Sequence, residues 1–140
     1  MNRLTPVLLL FLLLSSLQLQ SQELSSYRWS NRILLVLSND PNNPEVRRQV
    51  SLFANDSLGL AERKLLLLQV FPDHYLMGSN NFVRRQSGEI YFDYKSSERP
   101  FEVVLIGLDG SEKLRRFETI SPADLYSIID VMPMRRSERR

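Results

Sequence analysis

The residue types that could carry chemistry are few in this chain of 140 residues, and the missing types already exclude several classes of site. The sequence contains no Cys and only one His, His74. Without a thiol the chain cannot perform thiol–disulfide exchange or bind a metal through thiolates. A single His cannot build a His-rich zinc site, so we expect neither a metal nor a cofactor. Any catalysis would have to use non-thiol chemistry.

One polar turn is the first candidate site, because it lies where a helix is predicted to begin. Asn43 is the expected N-cap, Pro44 the first helical residue, and Glu45 is favoured by the helix dipole. With Asn42, these residues could bind an anion or a small polar ligand through free backbone N–H groups, but ordinary helix capping is the favoured explanation. An enzyme with non-thiol chemistry at Asn42, Glu45 and Glu102 is the alternative to a binding function.

Four arginines form the second candidate site, since two lie on a predicted strand and two near the end of the chain: Arg115, Arg116, Arg135 and Arg136. Together they could bind an acidic envelope or matrix component, or a partner protein. The alternative is that the first pair discourages strand pairing at a sheet edge, while the second pair lies in a solvated tail.

The charge distribution argues against nucleic acid as a partner. Residues 135–140 hold four Arg and one Glu, whereas residues 22–134 carry a net charge of −2. A nucleic-acid-binding domain needs a basic face on the fold itself. We therefore expect no nucleic-acid partner.

The first 21 residues predict a cellular location. Arg3 precedes an apolar stretch over residues 4–14, and a polar run from Ser15 to Gln22 follows, which is typical of a secretory signal peptide. The alternative is a membrane anchor, but a membrane span needs about 20 apolar residues. We expect cleavage after Ser21 and a secreted or periplasmic protein without a stable membrane anchor.

Beyond the predicted signal peptide, the chain divides into a polar lead-in (22–31), one domain (32–134) and a basic tail (135–140). Continuous apolar runs over 32–37 and 65–70 predict strands that are buried on both faces. A helix between them would make a parallel, right-handed βαβ unit.

That helix is predicted from the spacing of Val46, Val50, Phe53 and Leu58, with Gly59 as its end. Residues 72–100 are ambiguous. The alternation of apolar and polar residues over 89–94 favours a strand, whereas a crossover to a further parallel strand favours a helix, and we predict a short helix.

The rest of the domain is predicted as a hairpin and a helix. Strands over 103–106 and 113–117 flank Asp109-Gly110, a pair that favours a tight turn. A helix then starts at Ser121-Pro122 and ends before Pro133. The order β-α-β-α-β-β-α predicts a single α/β domain with a thioredoxin-like fold, a four-stranded mixed sheet flanked by helices.

Two segments resemble the DUDES family: the hairpin over 103–116, and the segment 128–136, which ends in Met-Pro-Met-Arg-Arg. This family comprises small secreted bacterial domains of unknown function (the P-DUDES type) and domains of matrix proteins such as URB, Equarin and the sushi-repeat-containing SRPX type. The resemblance covers about residues 30 to 138. It implies a thioredoxin-like fold, an extracytoplasmic location and no established molecular activity.

The comparison with redox-active thioredoxin-type enzymes predicts a protein that has lost their reaction. Where those enzymes carry Cys-x-x-Cys, this chain has the turn at 42–45, and Glu102 occupies the position of their substrate-binding proline. We therefore predict a redox-inactive binding or interaction module, with the four arginines as its contact surface.

Overall fold

The computed structural model describes residues 22–78 and 83–140, so the predicted signal peptide lies outside the described residues. The helices are α1 (Gln22–Ser25), α2 (Pro44–Phe53), α3 (Ser57–Glu62), α4 (Glu89–Tyr94), α5 (Pro122–Asp130) and α6 (Pro133–Glu138). The strands are β1 (Arg32–Ser38), β2 (Leu65–Val70), β3 (His74–Met77), β4 (Val83–Gln86), β5 (Phe101–Ile106) and β6 (Glu112–Arg116).

These strands form one mixed sheet in the order β4-β3-β2-β1-β5-β6. The β1–β2 pair is parallel, and the other pairs are antiparallel. The sheet has six strands, so the prediction of four strands is wrong. The two extra strands, β3 and β4, fall within the ambiguous residues 72–100. There the chain does not cross over to a further parallel strand, and β2 is followed directly by the antiparallel strand β3. The short helix predicted in that segment is present as α4.

Both faces of the sheet are covered, which explains the continuous apolar runs. All seven residues of β1 and all six of β5 are buried. On one face, which we call the α2–α5 face, strand residues pack against Phe53, Leu125 and Ile129. On the other, the α1–α4 face, they pack against Leu24 and Ile90. A sheet with two apolar cores leaves its strand ends and turns as the places for polar chemistry.

The helix after β1 begins as predicted but ends earlier. The Asn43 side chain accepts a hydrogen bond from the Glu45 backbone N–H at 2.9 Å. The helix ends at Phe53, and α3 starts separately, with Asp56 accepting a hydrogen bond from the Gly59 N–H at 3.0 Å. Extension of one helix to Leu58 is therefore wrong, and the Leu58 side chain is 83% exposed.

The end of the chain is ordered against the domain. Helix α5 starts at the predicted cap, where the Ser121 Oγ accepts a hydrogen bond from the Asp124 N–H at 3.1 Å. Pro133 then opens a second helix, α6, which contains the first four residues of the predicted basic tail. Its Arg135 is only 3% exposed. The apolar face expected for α5 is present, since Leu125 and Ile129 are buried.

Candidate functional site

A cavity of about 460 Å³ lies on the α1–α4 face, beside the turn between β5 and β6. Its floor is apolar and is formed by Leu24, Tyr27, Ile33 and Ile106. Its rim is polar and includes Arg28, Asn31, Asp93, Tyr94, Ser111 and Glu112. We call this site the hairpin cavity. Pockets that bind small molecules commonly combine an apolar floor with a few polar groups, at volumes of about 300–1,000 Å³.

The segment before β1 forms one wall of the hairpin cavity, and the β5–β6 turn holds it in place. The Trp29 N–H donates to the Leu108 carbonyl oxygen at 2.6 Å. The Arg28 Nε donates to the Asp109 carbonyl oxygen at 2.8 Å. Gly110 has φ of +80°, and a Cβ there would lie only 3.2 Å from the Arg28 Nε. Glycine therefore suits both the turn geometry and the close approach of Arg28.

Trp29 stands out beside the cavity, because it is both exposed and conformationally unusual. Its side chain is 62% exposed, and its φ is 68°, a left-handed conformation that a bulky residue rarely adopts. The Arg28 Cζ lies 5.8 Å from the centroid of its ring. Such strained residues persist where the surroundings hold them, and they concentrate at functional sites. The structure thus holds an aromatic side chain in solvent next to Arg28, although Trp29 itself does not line the cavity.

The opposite wall of the cavity contains Glu112, which Arg115 holds with two hydrogen bonds. The Arg115 Nε donates to Glu112 Oε1 at 3.0 Å, and the Arg115 Nη2 donates to Oε2 at 2.7 Å. The same guanidinium uses Nη1 on the Tyr94 carbonyl oxygen at 2.9 Å and on Glu102 Oε2. Arg115 therefore joins the rim to a buried carboxylate and fixes the orientation of Glu112.

That buried carboxylate belongs to a set of residues that we call the Glu102 cluster, which consists of Lys95, Ser96, Ser97, Glu102 and Arg115. The Glu102 side chain is 0% exposed. It accepts hydrogen bonds from the Lys95 Nζ at 2.9 Å and from both serines, through N–H and hydroxyl groups. Burial alone would raise the pKa of Glu102, but these hydrogen bonds outweigh it and lower the pKa to about 2.

Tyr94 completes the rim between the two walls. Burial raises the pKa of its phenol above the ordinary value, and the charges of Asp93 and Glu112 add to that effect. Tyr94 therefore remains a neutral hydroxyl at physiological pH. Such a group can both donate and accept a hydrogen bond.

The predicted turn at 42–45 is a helix start that lies away from the hairpin cavity. The Asn43 amide caps α2 and also donates to the Pro100 carbonyl oxygen at 3.2 Å. Helix α2 packs on the α2–α5 face, whereas Glu102 belongs to the α1–α4 face. The structure therefore does not bring Asn42 and Glu45 together with Glu102. Among the described residues, the contacts of the Glu102 carboxylate are with its own cluster.

Two of the four predicted arginines belong to separate sets of ion pairs, and the other two are exposed. Arg115 binds Glu102 and Glu112, as described above. Arg135 instead binds Glu62 at 2.6 Å and Asp130 at 3.2 Å, and it is almost fully buried. Arg116 and Arg136 are exposed. The structure thus gives Arg115 and Arg135 internal partners rather than placing the four on one open basic face.

Arg135 belongs to a second network, which we call the carboxyl-terminal cluster and which ties α6 to the domain. Its other members are Arg32, Glu62, Arg63, Asp130 and Glu138. Arg32 is 1% exposed at the start of β1, and its Nη1 contacts Glu138 Oε2 at 3.2 Å. The Met-Pro-Met-Arg-Arg segment therefore supplies a structural ion pair.

No metal or membrane site is found in the ranges 22–78 and 83–140. There, no group of three or more His, Asp or Glu side chains is arranged to hold a metal ion, and no helix has the length and hydropathy of a membrane span. His74 is buried, stacks on Phe71 at 4.9 Å and lies 2.7 Å from the Asp73 carboxylate. Its environment is that of a packed residue.

The hairpin cavity does not follow from the sequence, which predicts only a polar lead-in over residues 22–31. One signal was available: the chain's single Trp, Trp29, lies in this segment next to Arg28. Nothing in the spacing of the sequence indicates that this segment contacts a turn some 80 positions later. The hydrogen bond from Arg28 to Asp109 is such a contact.

Comparison with known proteins gives a family but no activity. No curated protein and no solved structure matches the chain. One family model matches residues 23–138, and it describes a domain of unknown function, DUF4174. The match covers α1 through α6, and thus includes both walls of the hairpin cavity and the carboxyl-terminal cluster. The chain therefore belongs to the DUF4174 family of domains of unknown function.

Proposed function

We propose that this protein is an extracytoplasmic, redox-inactive binding domain that takes a small polar ligand in the hairpin cavity. One observation carries the proposal. The cavity combines an apolar floor with two charged side chains, Arg28 and Glu112, that hydrogen bonds hold in place. Arg28 donates to the Asp109 carbonyl oxygen, and Glu112 accepts from Arg115. Binding sites need side chains that are already oriented, because ordering them on binding costs affinity.

The contact surface proposed here differs from the four-arginine surface. Arg135 is buried and already neutralises Glu62 and Asp130, so an acidic partner would have to compete with those carboxylates. Arg115 is likewise engaged, but its position behind Glu112 gives it an indirect role at the cavity. We assign Arg115 as a positioning residue, while Arg28 and Glu112 would contact the ligand.

The proposed scaffold is a thioredoxin-like core extended by one hairpin. The strands β2-β1-β5-β6 are adjacent, with β1–β2 parallel and the other pairs antiparallel. That order and those directions support the fold inferred from the sequence, with β3 and β4 added at one edge. Since the chain contains no Cys, an insulin-reduction assay should give no turnover. Turnover would contradict the proposal.

Two further statements are part of the same proposal: that the chain is related to the DUDES family, and that the protein is extracytoplasmic. The location is supported by the signal-peptide pattern of residues 1–21. Expression of the full chain in a bacterial host, with fractionation and mass measurement of the product, tests it. We expect a product that begins near Gln22 outside the cytoplasm, and an intact amino terminus in the cytoplasm would contradict it.

Ligand binding is tested through Trp29, the single Trp of the chain. Purified protein is titrated with neutral saccharides, amino acids and dipeptides, organic acids, and nucleosides, while Trp emission and the thermal midpoint are followed. At least one class should shift the emission saturably and raise the midpoint. In Arg28→Ala the affinity should fall about tenfold or more, a change of about 1.4 kcal/mol.

Arg48→Ala is the matched control, because Arg48 is an exposed Arg on α2, which packs on the opposite face of the sheet. Its affinity should equal that of the wild type. The proposal is contradicted if no class shifts the emission or the midpoint, or if Arg28→Ala binds as tightly as the wild type.

A further inference from the structure

From the charges and hydrogen bonds of its lining, we infer that the hairpin cavity binds a small zwitterion, an amino acid or dipeptide with a free ammonium and a free carboxylate group. This inference rests on the proposed binding function and adds the class of ligand. Three properties of the lining support it: charges of both signs with the anions in excess, hydroxyl donors that are already used within the protein, and an apolar floor.

The lining carries one cation, Arg28, and two anions, Asp93 and Glu112. Arg28 belongs to the wall before β1, and Glu112 belongs to the opposite wall. A ligand with only a carboxylate would meet both anions, while a ligand with only an ammonium group would offer no partner to the Arg28 guanidinium. A zwitterion can pair its carboxylate with Arg28 and its ammonium group with Glu112, so that neither of its charges stays unpaired in the cavity.

Arg28 and Glu112 are close enough for one small molecule to contact both. The Arg28 side chain lies against Gly110, where a Cβ would be 3.2 Å from its Nε. Glu112 is two residues further along the chain, and two residues span at most about 7 Å. The hydrogen bond from Arg28 to the Asp109 carbonyl oxygen uses Nε, so it does not occupy the terminal NH₂ groups, which can bind a carboxylate.

Two hydroxyl groups of the lining have already used their hydrogens within the protein, which favours a ligand that donates. The Ser111 Oγ donates to Asp109 Oδ1 at 2.8 Å, and the Tyr27 hydroxyl donates to the Met77 Sδ at 3.4 Å. Since a hydroxyl has only one hydrogen, these two oxygens can only accept a bond from a ligand. An ammonium group has three donors and no acceptor, and it therefore matches them.

Asp93 and Glu112 make one part of the rim negative. Burial raises the pKa of the Tyr94 phenol, and the charges of Asp93 and Glu112 raise it further, so both anions act at the same place. Arg115 holds both oxygens of Glu112, at 3.0 and 2.7 Å, and each oxygen keeps a lone pair for a further donor. The rim thus offers an ammonium group an oriented carboxylate with a second anion in the same lining.

The apolar floor suits the carbon chain of such a ligand. Leu24, Ile33 and Ile106 contribute to it, and the volume of about 460 Å³ is that of a small-molecule site. Norleucine combines both charges with an unbranched apolar side chain, so it is the probe that tests all three properties at once.

The experiment removes one charge of norleucine at a time. Norleucine is titrated by calorimetry beside hexanoate, which lacks the ammonium group, and pentylamine, which lacks the carboxylate. The dipeptide glycyl-norleucine distinguishes a longer zwitterion from a free amino acid. We expect one of the two zwitterions to bind saturably and at least about tenfold tighter than hexanoate or pentylamine. If hexanoate or pentylamine binds as tightly as the better zwitterion, the inference is overturned.

The excess of anions in the lining gives a second comparison. Lysine and 2-aminoadipate share the six-carbon skeleton of norleucine, and their side chains end in an ammonium group and a carboxylate, respectively. Lysine should bind more tightly, because a second carboxylate would meet Asp93 or Glu112. Equal or tighter binding of 2-aminoadipate would also overturn the inference.

Two variants assign the two charges of the ligand. Glu112→Gln should lower the affinity for the zwitterion about tenfold and abolish its preference over hexanoate, whereas Arg28→Ala should abolish its preference over pentylamine. Glu118→Gln, at an exposed position outside the lining, is the matched control and should bind like the wild type. A Glu112→Gln variant that keeps the preference over hexanoate would contradict the pairing of Glu112 with the ammonium group.

Failure of the inference can be distinguished from failure of the proposed function. If saccharides, organic acids or nucleosides bind with dependence on Arg28 and no zwitterion does, the binding function stands and the zwitterion inference falls. If none of the tested classes binds, both fall.

Discussion

Replacement of Glu102 by Gln removes the charge at the centre of the Glu102 cluster while keeping the size of the side chain. The carboxylate is 0% exposed and pairs with Lys95, whose side chain is 8% exposed, and with Arg115, whose side chain is 19% exposed. Loss of one partner of a buried ion pair costs about 3–5 kcal/mol, because the remaining charges lose their compensation. We expect the free energy of unfolding at pH 7 to fall by about that amount.

The pH dependence of this loss follows from the pKa of Glu102, which is lowered from its ordinary value of 4.5 to about 2 in the folded protein. Because the unfolded chain binds this proton more readily, ionised Glu102 stabilises the fold above about pH 4.5. The shift corresponds to about 3 kcal/mol, which is lost as the pH falls towards 2.

The assay is urea denaturation of the wild type and Glu102→Gln at several pH values between 2 and 7. The stability difference between them should be largest at pH 7 and shrink as the pH falls. Asp109 also has a pKa lowered to about 2, by hydrogen bonds from Lys113 and Ser111, but its contribution is common to both proteins and cancels. Glu118→Gln, at an exposed position, is the control and should match the wild type.

Two results would refute this reasoning. A stability difference that stays constant from pH 7 to pH 2 would mean that Glu102 titrates alike in the folded and unfolded chain. A loss of less than about 1 kcal/mol at pH 7 would mean that Lys95 and Arg115 are not held by its charge. Either outcome would also remove the structural basis for the positioning of Glu112.

Three further changes test other contacts by denaturant unfolding. Arg135→Ala should lower stability by about 1–3 kcal/mol, because it removes a buried guanidinium that donates to Glu62 and Asp130, whereas exposed Arg136→Ala should change it by less than about 0.5 kcal/mol; equal effects would contradict the carboxyl-terminal cluster. Gln49→Leu should cost about 1–3 kcal/mol, since the buried Gln49 amide pairs with both the N–H and the carbonyl oxygen of Ile120, and a neutral result would argue against that pairing. Trp29→Gly should raise stability by about 1 kcal/mol through relief of its left-handed conformation, while Trp29→Ala should not; the same result for both would exclude strain at this residue.

The central part of the fold could be predicted from the sequence because its signals are local. The run over 65–70 is strand β2, and Asn43 and Ser121 cap the helices that they were predicted to cap. Each depends on neighbours within a few positions. Burial on both faces also followed from the apolar runs, since no other arrangement removes such strands from water.

In the segment 72–100 the predicted short helix is present, but the strands β3 and β4 were not predicted. Residues 89–94 alternate like a strand, yet they form α4, where Ile90 is buried and Phe92 is 72% exposed. The strands β3 and β4 are short, so they carry little periodic signal. Their place at the sheet edge is determined by the pairing of β3 with β2 and of β4 with β3, which are tertiary contacts that local propensity does not contain.

Residue type does not say whether a charge is satisfied inside the protein, so the sequence could not show how the four candidate arginines are paired. Arg115 and Arg136 look equivalent in the sequence, but the first has two carboxylate partners and the second lies exposed. An arginine whose charge is already paired can orient a neighbouring carboxylate, as Arg115 does for Glu112, but it contributes little attraction to an external anion. The number of arginines in a segment therefore does not show how much of their charge is available to an external partner.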